Sequence, residues 1–195
     1  MALVGLKLLH TLPVPLAGEH GDHATHTADH HKLPGEPRLL ADGRTVMFGT
    51  FTCGLYRVTG LDATPAVSFV SGFPGENCAV PVVIGKYWIQ TVPALHALVA
   101  LDVSDPARPI EASRLVFPDH VAPHWLAADA SGRYLVTSSS SKKDPTLHLV
   151  YFDPATGTLK RSGDAPIVDF SRVQWPDGFE GGAVPHGVVF ARPSN

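Results

Sequence analysis

The sequence predicts an all-β chain: a β-propeller of about three complete four-stranded blades with partial blades at its ends, part of a longer or assembled ring. Three observations lead there. A grammar repeats, in which Gly-Arg or Gly-Lys turns at Gly43, Gly85 and Gly132 lie 42 and 47 residues apart. The segments between them are short, alternating and β-branched, and Gly, Asp and Pro punctuate them, which separates strands from helix pairs of similar period. Composition agrees: 44% hydrophobic and only 17% charged residues, with 18 Gly and 18 Pro, suit strands and turns rather than charged amphipathic helices.

The elements follow in order. The first unit runs Leu39–Arg44, Thr45–Thr50 and Gly54–Val58, then a turn at Leu61–Pro65. The second runs Val82–Lys86, Tyr87–Thr91 and Ala97–Asp102, then a turn at Ser104–Pro106. The third runs Leu126–Arg133, Tyr134–Thr137 and Leu147–Tyr151, then a turn at Asp153–Gly157. Asp102, Asp105 and Asp153 fit turns, where their side chains bond nearby backbone N–H groups. Fourth strands are expected at Ala66–Val70, Ile110–Val116 and around Ile167–Phe170. Residues 1–16 supply an outer strand of a preceding blade, and Gly182–Arg192 reads as the innermost strand of a following one. The expected divisions are therefore 1–32 (outer strand plus a His-rich loop), 33–74, 75–119, 120–178 and 179–195.

One twisted blade cannot bury both its faces, so blades pack face to face around an axis. Three and a half blades stop short of an ordinary ring of roughly four or more. The expectation is a longer propeller, with closure of the chain's own ends or assembly of two half-rings as alternatives.

The net charge is −3 without a basic stripe, which argues against a nucleic-acid partner. No apolar run approaches a membrane span. The N-terminus carries Lys7 inside its apolar run and makes a poor signal peptide. It reads as a strand, or as a start made by truncating a longer gene; in that case a periplasmic or secreted location follows. Cys53 and Cys78 form no disulfide framework. They pair in an oxidising compartment if geometry permits, and otherwise read as small apolar core residues rather than ligands. Trp88, Trp125 and Trp175 read as packing residues, and the Ser138–Ser141 run lacks the flanking glycines of a nucleophile elbow.

Ala97–Leu115, ALVALDVSDPARPIEASRL, resembles the LVIVD repeat of bacterial propellers, and Ala130–Ser138, ASGRYLVTS, resembles the YVTN repeat. The resemblance covers roughly residues 33–192 and implies a fold that hosts binding, scaffolding and several chemistries. A narrower resemblance is to selenium-binding-protein-like propellers, which include methanethiol oxidases. It rests on Pro123-His124-Trp125 and Pro185-His186-Gly187. It implies histidines at the start of inner strands, facing the central channel. At the comparable place the second repeat has Cys78, seven residues before Gly85, and the first has Gly35, where His124 lies eight before Gly132.

Eleven histidines in 195 residues form two groups. His20, His23, His26, His30 and His31 cluster with Asp22 and Asp29, a pattern suited to a transition metal, or to a solvated polar loop. His124 and His186, with His120 and Cys78 near them in the repeat, fit either a channel-mouth site or histidines that satisfy backbone carbonyls. The sharpest expectation gathers His30, His31, His120, His124 and His186 around copper or zinc. Two function classes result. One is a scaffold that binds a small molecule or protein, with a homo-oligomer completing the ring. The other is a metal-dependent oxidoreductase or hydrolase with its site at the channel mouth.

Overall fold

A computed structural model describes residues 7–15, 33–162, 168–171 and 173–191. Three antiparallel sheets follow one another along the chain. The first is β1 (Arg38–Leu39), β2 (Val46–Gly49), β3 (Gly54–Thr59) and β4 (Ala66–Gly72), paired in chain order. The second is β5 (Val82–Ile84), β6 (Tyr87–Val92), β7 (Ala97–Asp102) and β8 (Ile110–Val116), again in order. The third contains β9 (Pro123–Ala128), β10 (Tyr134–Ser139), β11 (Thr146–Asp153) and β12 (Thr158–Arg161), with β13 (Val168–Asp169) beside β12 on the outer edge of β11. The sequence expects the fourth strand of the third unit near 167–170. The structure divides that position, because the Asp153–Gly157 turn starts a hairpin whose return strand is Thr158–Arg161.

The glycines that set the repeat have a shared conformation. Gly43, Gly85 and Gly132 sit at φ +67°, +57° and +68°, where an L side chain is disfavoured, so each can turn an inner strand tightly into the next. Aspartates cap two of these turns. Asp42 Oδ1 accepts from the Arg44 and Thr45 amides at 2.9 Å each, and Asp129 Oδ1 from Arg133 and Tyr134 at 3.0 Å each. The far-side turns use the same device: Asp102, Asp105 and Asp153 accept from the amides of Ser104, Ala107 and Ala155. Lys86 also reaches Asp102 at 2.7 Å and, with the Ser104 contacts, holds its carboxyl down at about 2.

Period-two alternation assigns the two faces of the middle sheet to two cores. Trp88, Ala97, Val99 and Leu101 face Met47 and Leu55 of the first sheet. Tyr87, Ile89, Leu98 and Ala100 face Leu135, Val150 and Phe152 of the third. Both central strands of the middle sheet are consequently buried nearly end to end. The disulfide Cys53–Cys78 lies in the first of these cores and ties the β2–β3 hairpin to the segment entering β5. The two cysteines are thus both paired and buried.

The end segments lie on the outward faces without forming strands. Residues 7–15 have no strand, and the Pro15 carbonyl accepts from Tyr56 Oη at 3.2 Å on the far side of the first sheet. Burial there pushes the Tyr56 phenol up to about 12. Residues 182–191, expected as an inner strand, also have no regular structure. A strand requires a ladder, whereas here the carbonyls of His186 and Val188 accept from the side chains of Ser138 and Trp125.

Candidate functional site at the heads of the inner strands

β1, β5 and β9 are the first strands of their sheets, and the residues leading into them meet at one end of the molecule. A cavity of about 290 Å³ opens there, and its wall includes Gly35, Cys78, His124 and His186. Gly35 and Cys78 precede the inner strands of their repeats, and His124 is the second residue of β9. The repeat phase therefore reports a shared location, although it puts three unlike residues there. Phe51, Pro81 and Trp125 make much of the remaining wall apolar. Glu36 is its acidic member, and Arg38 pairs with it at 2.5 Å while also donating to the Pro81 carbonyl at 3.1 Å.

His124 is fixed by its strand. Its carbonyl accepts from Thr91 Oγ1 at 3.0 Å, and the same hydroxyl accepts from the Ala79 amide at 3.2 Å. The imidazole stands edge to face with that of His186, ring centroids 5.1 Å apart at 64°. Its Nδ1 is buried and has no hydrogen-bond partner among the described residues. Burial, and then the neighbouring His186, lower the pKa of His124, so the ring is neutral at pH 7. His186 is positioned by its backbone: its carbonyl accepts from Ser138 at 3.1 Å, and Gly187 passes so close to Trp125 that a Cβ would lie 3.2 Å from the indole. Ser138 and Ser139 are buried and structural, the latter accepting from the Ala122 and Ser141 amides.

The other expected site residues are placed as follows. His120 is exposed on the turn before β9 and does not line the cavity. His20, His23, His26, His30 and His31 lie outside the described residues. Among the described residues no group of three or more His, Cys, Asp or Glu is arranged to hold a metal ion. Sequence reasoning passed over Glu36, Phe51 and Pro81 of the cavity wall. It also passed over a buried pair in the third sheet, where His148 Nε2 and Asp144 Oδ2 are 2.7 Å apart and Thr146 joins both. The strand alternation around His148 and the Asp four residues earlier were the available signal.

Several solved structures share this architecture. The periplasmic gluconolactonase of Pseudomonas aeruginosa is 17% identical over 78% of this chain and 43% of its own, with a TM-score of 0.56. A hypothetical selenium-binding protein of Sulfolobus tokodaii is 15% identical over 71% of this chain and 41% of its own, with a TM-score of 0.59. The β-propeller domain of Myceliophteria thermophila Cps50 (Swd1) is 12% identical over 70% of this chain and 43% of its own, with a TM-score of 0.50. At these identities the likeness concerns the fold alone. The chain has an all-β propeller fold, and it spans less than half the length of each of these three. No protein-family model and no curated protein matches the sequence. Among the described residues no helix is long and apolar enough to cross a membrane.

Proposed function

We propose that this propeller scaffold binds a small ligand in the cavity at the heads of its inner strands, with His124 and His186 engaging a transition metal, copper or zinc. The observation that carries the reading is the buried, unpartnered Nδ1 of His124 beside a second imidazole in a largely apolar cavity. Leaving such an atom unpaired costs about 1–3 kcal/mol, which a bound ligand would offset. Neutral imidazole is the coordinating form, and burial favours that form here. Two imidazoles leave further positions on a four-coordinate ion. His30 and His31 precede the cavity residue Gly35 by five and four residues in the sequence and are the proposed additional ligands.

The test is a titration of metal-free protein with zinc or copper, followed by thermal unfolding and metal analysis. The expected result is saturable binding near one ion per chain that is lost when His124 and His186 are both changed to Ala. Weak, sub-stoichiometric binding that the double change leaves intact overturns the reading.

A second reading follows from the same neutral imidazole, which also suits a general base. The likeness to a gluconolactonase then suggests a hydrolase acting on a small lactone or ester. Lactone hydrolysis abolished by His124→Gln in a folded protein would support it; turnover equal to that of buffer removes it.

A further inference from the structure

Cys78 lines the same cavity as His124 and His186, yet its sulfur is held in the bond to Cys53. Its position does not depend on that bond alone. On one side the Asn77 amide donates to the Phe51 carbonyl at 2.7 Å, and on the other the Ala79 amide donates to Thr91 Oγ1. The Ala79 carbonyl also accepts from the buried Gln90 side chain. Thr91 is the hydroxyl that fixes the His124 carbonyl, so one side chain sets the spacing between the Cys78 and His124 backbones. The Cys53 side is tethered separately, by the Phe73 amide to its carbonyl at 2.9 Å and by its own amide to Thr50. Breaking the S–S bond therefore frees a thiol that remains in the cavity wall and can turn about its Cα–Cβ bond.

We propose that the disulfide is a redox gate on this cavity, and that its reduction adds Cys78 to His124 and His186 as a mixed thiolate–imidazole site for a borderline-to-soft metal such as zinc or Cu(I). The proposal rests on the histidine-pair reading above and names its third ligand. In the oxidised protein Cys78 offers no thiolate. A small dithiol attacks one sulfur, forms a mixed disulfide and closes to its own cyclic disulfide. Two electrons and two protons pass to Cys53 and Cys78, and the dithiol is oxidised. Cys78 then releases its proton on coordination, and thiolate shifts the site's preference towards zinc and Cu(I). A small disulfide accepts the two electrons by the same exchange, is reduced to its thiols, re-forms the Cys53–Cys78 bond and so releases the metal.

Full-length protein in four forms tests this: oxidised wild type, reduced wild type freed of the dithiol, C53S and C78S. C53S and C78S both lose the cross-link and differ in which sulfur remains, so their comparison isolates the Cys78 thiol from any loss of stability. The readouts are zinc affinity by calorimetry and the spectrum with Co(II), whose thiolate charge-transfer absorption reports a sulfur ligand directly. The expected result is that reduced wild type and C53S bind at least about tenfold more tightly than C78S and show the charge-transfer band. C78S should bind as oxidised wild type does, with or without the dithiol. Equal affinities and no band in reduced wild type and C53S overturn the thiolate ligand, while leaving the histidine pair to stand on the behaviour of the oxidised protein. Tight binding by C53S that survives His124→Ala with His186→Ala overturns the shared site. Where C53S folds poorly, reduced wild type carries the same comparison.

Discussion

The two interfaces that flank the middle sheet are built differently. The interface with the third sheet is an apolar seam, in which Tyr87 stands edge-on to Phe152 at 5.5 Å and Ile89, Leu98, Leu135 and Val150 fill the space around them. The interface with the first sheet contains the indole of Trp88, but here Trp88 Nε1 donates to Gln90 Oε1 at 3.1 Å, Gln90 donates onward to the Ala79 carbonyl, and a disulfide crosses nearby. The cavity opens beside this second kind of interface. A wall that faces a cavity loses packing partners on one side. Directional bonds can hold it where apolar contact cannot, so the site is positioned by hydrogen bonds and a cross-link.

The largest effects should come from emptying each core. Phe152→Ala is expected to cost about 3–5 kcal/mol in urea unfolding, the usual range for removing a buried aromatic ring. Trp88→Ala should cost more than Phe152→Ala, because it also strips Gln90 Oε1 of its buried donor, a loss of about 1–3 kcal/mol on its own. Equal costs would show that the polar chain contributes nothing at the first interface, and the contrast drawn above would fail.

A smaller effect probes how closely the sheets approach one another. Gly157, at φ +74° in the β11–β12 turn, would place a Cβ 2.5 Å from Tyr87 Cε1 and 2.9 Å from Ala112 Cβ of the neighbouring sheet. Gly85, at φ +57°, has open space around it. Gly157→Ala should therefore cost about 2–4 kcal/mol, combining backbone strain with overpacking. Gly85→Ala should cost only the strain, about 1–2 kcal/mol. Comparable losses in thermal unfolding would mean the turn relaxes away from Tyr87, and the apolar seam is looser than its geometry implies.

The fold was legible because strand period and turn chemistry are local. Ile110–Val116 matches β8 residue for residue, and the three turn glycines have the conformation their spacing required. Site position was half legible: the repeat phase put Gly35, Cys78 and His124 in equivalent places, and these places converge. What the sequence could not show is long-range geometry. Whether Cys53 meets Cys78, that Arg38 neutralises Glu36 beside the cavity, and that the His186 and Val188 carbonyls meet side chains of β10 and β9 rather than a ladder all depend on how separate segments pack. The Asp144–His148 pair was hidden because a lone histidine in an apolar strand reads as an ordinary core residue.

The smallest effect concerns acid, and it also separates the interfaces. His124 has a lowered pKa in the folded chain and an ordinary value near 6.5 once unfolded. Above that value both states leave the ring neutral, and its folded-state environment is retained in full. As the pH falls below about 6.5 the unfolded chain binds the proton first, so this contribution to stability declines until the folded ring also titrates. Wild type should therefore lose thermal stability between pH 7 and pH 5 more steeply than His124→Gln. The difference between the two curves should be flat above pH 7. Phe152→Ala, which disturbs only the other interface, should leave that difference unchanged. A wild-type and His124→Gln pair that run parallel through the whole range would mean the ring is as well solvated as a surface histidine, and the cavity would lose the buried, desolvated imidazole on which the reading rests.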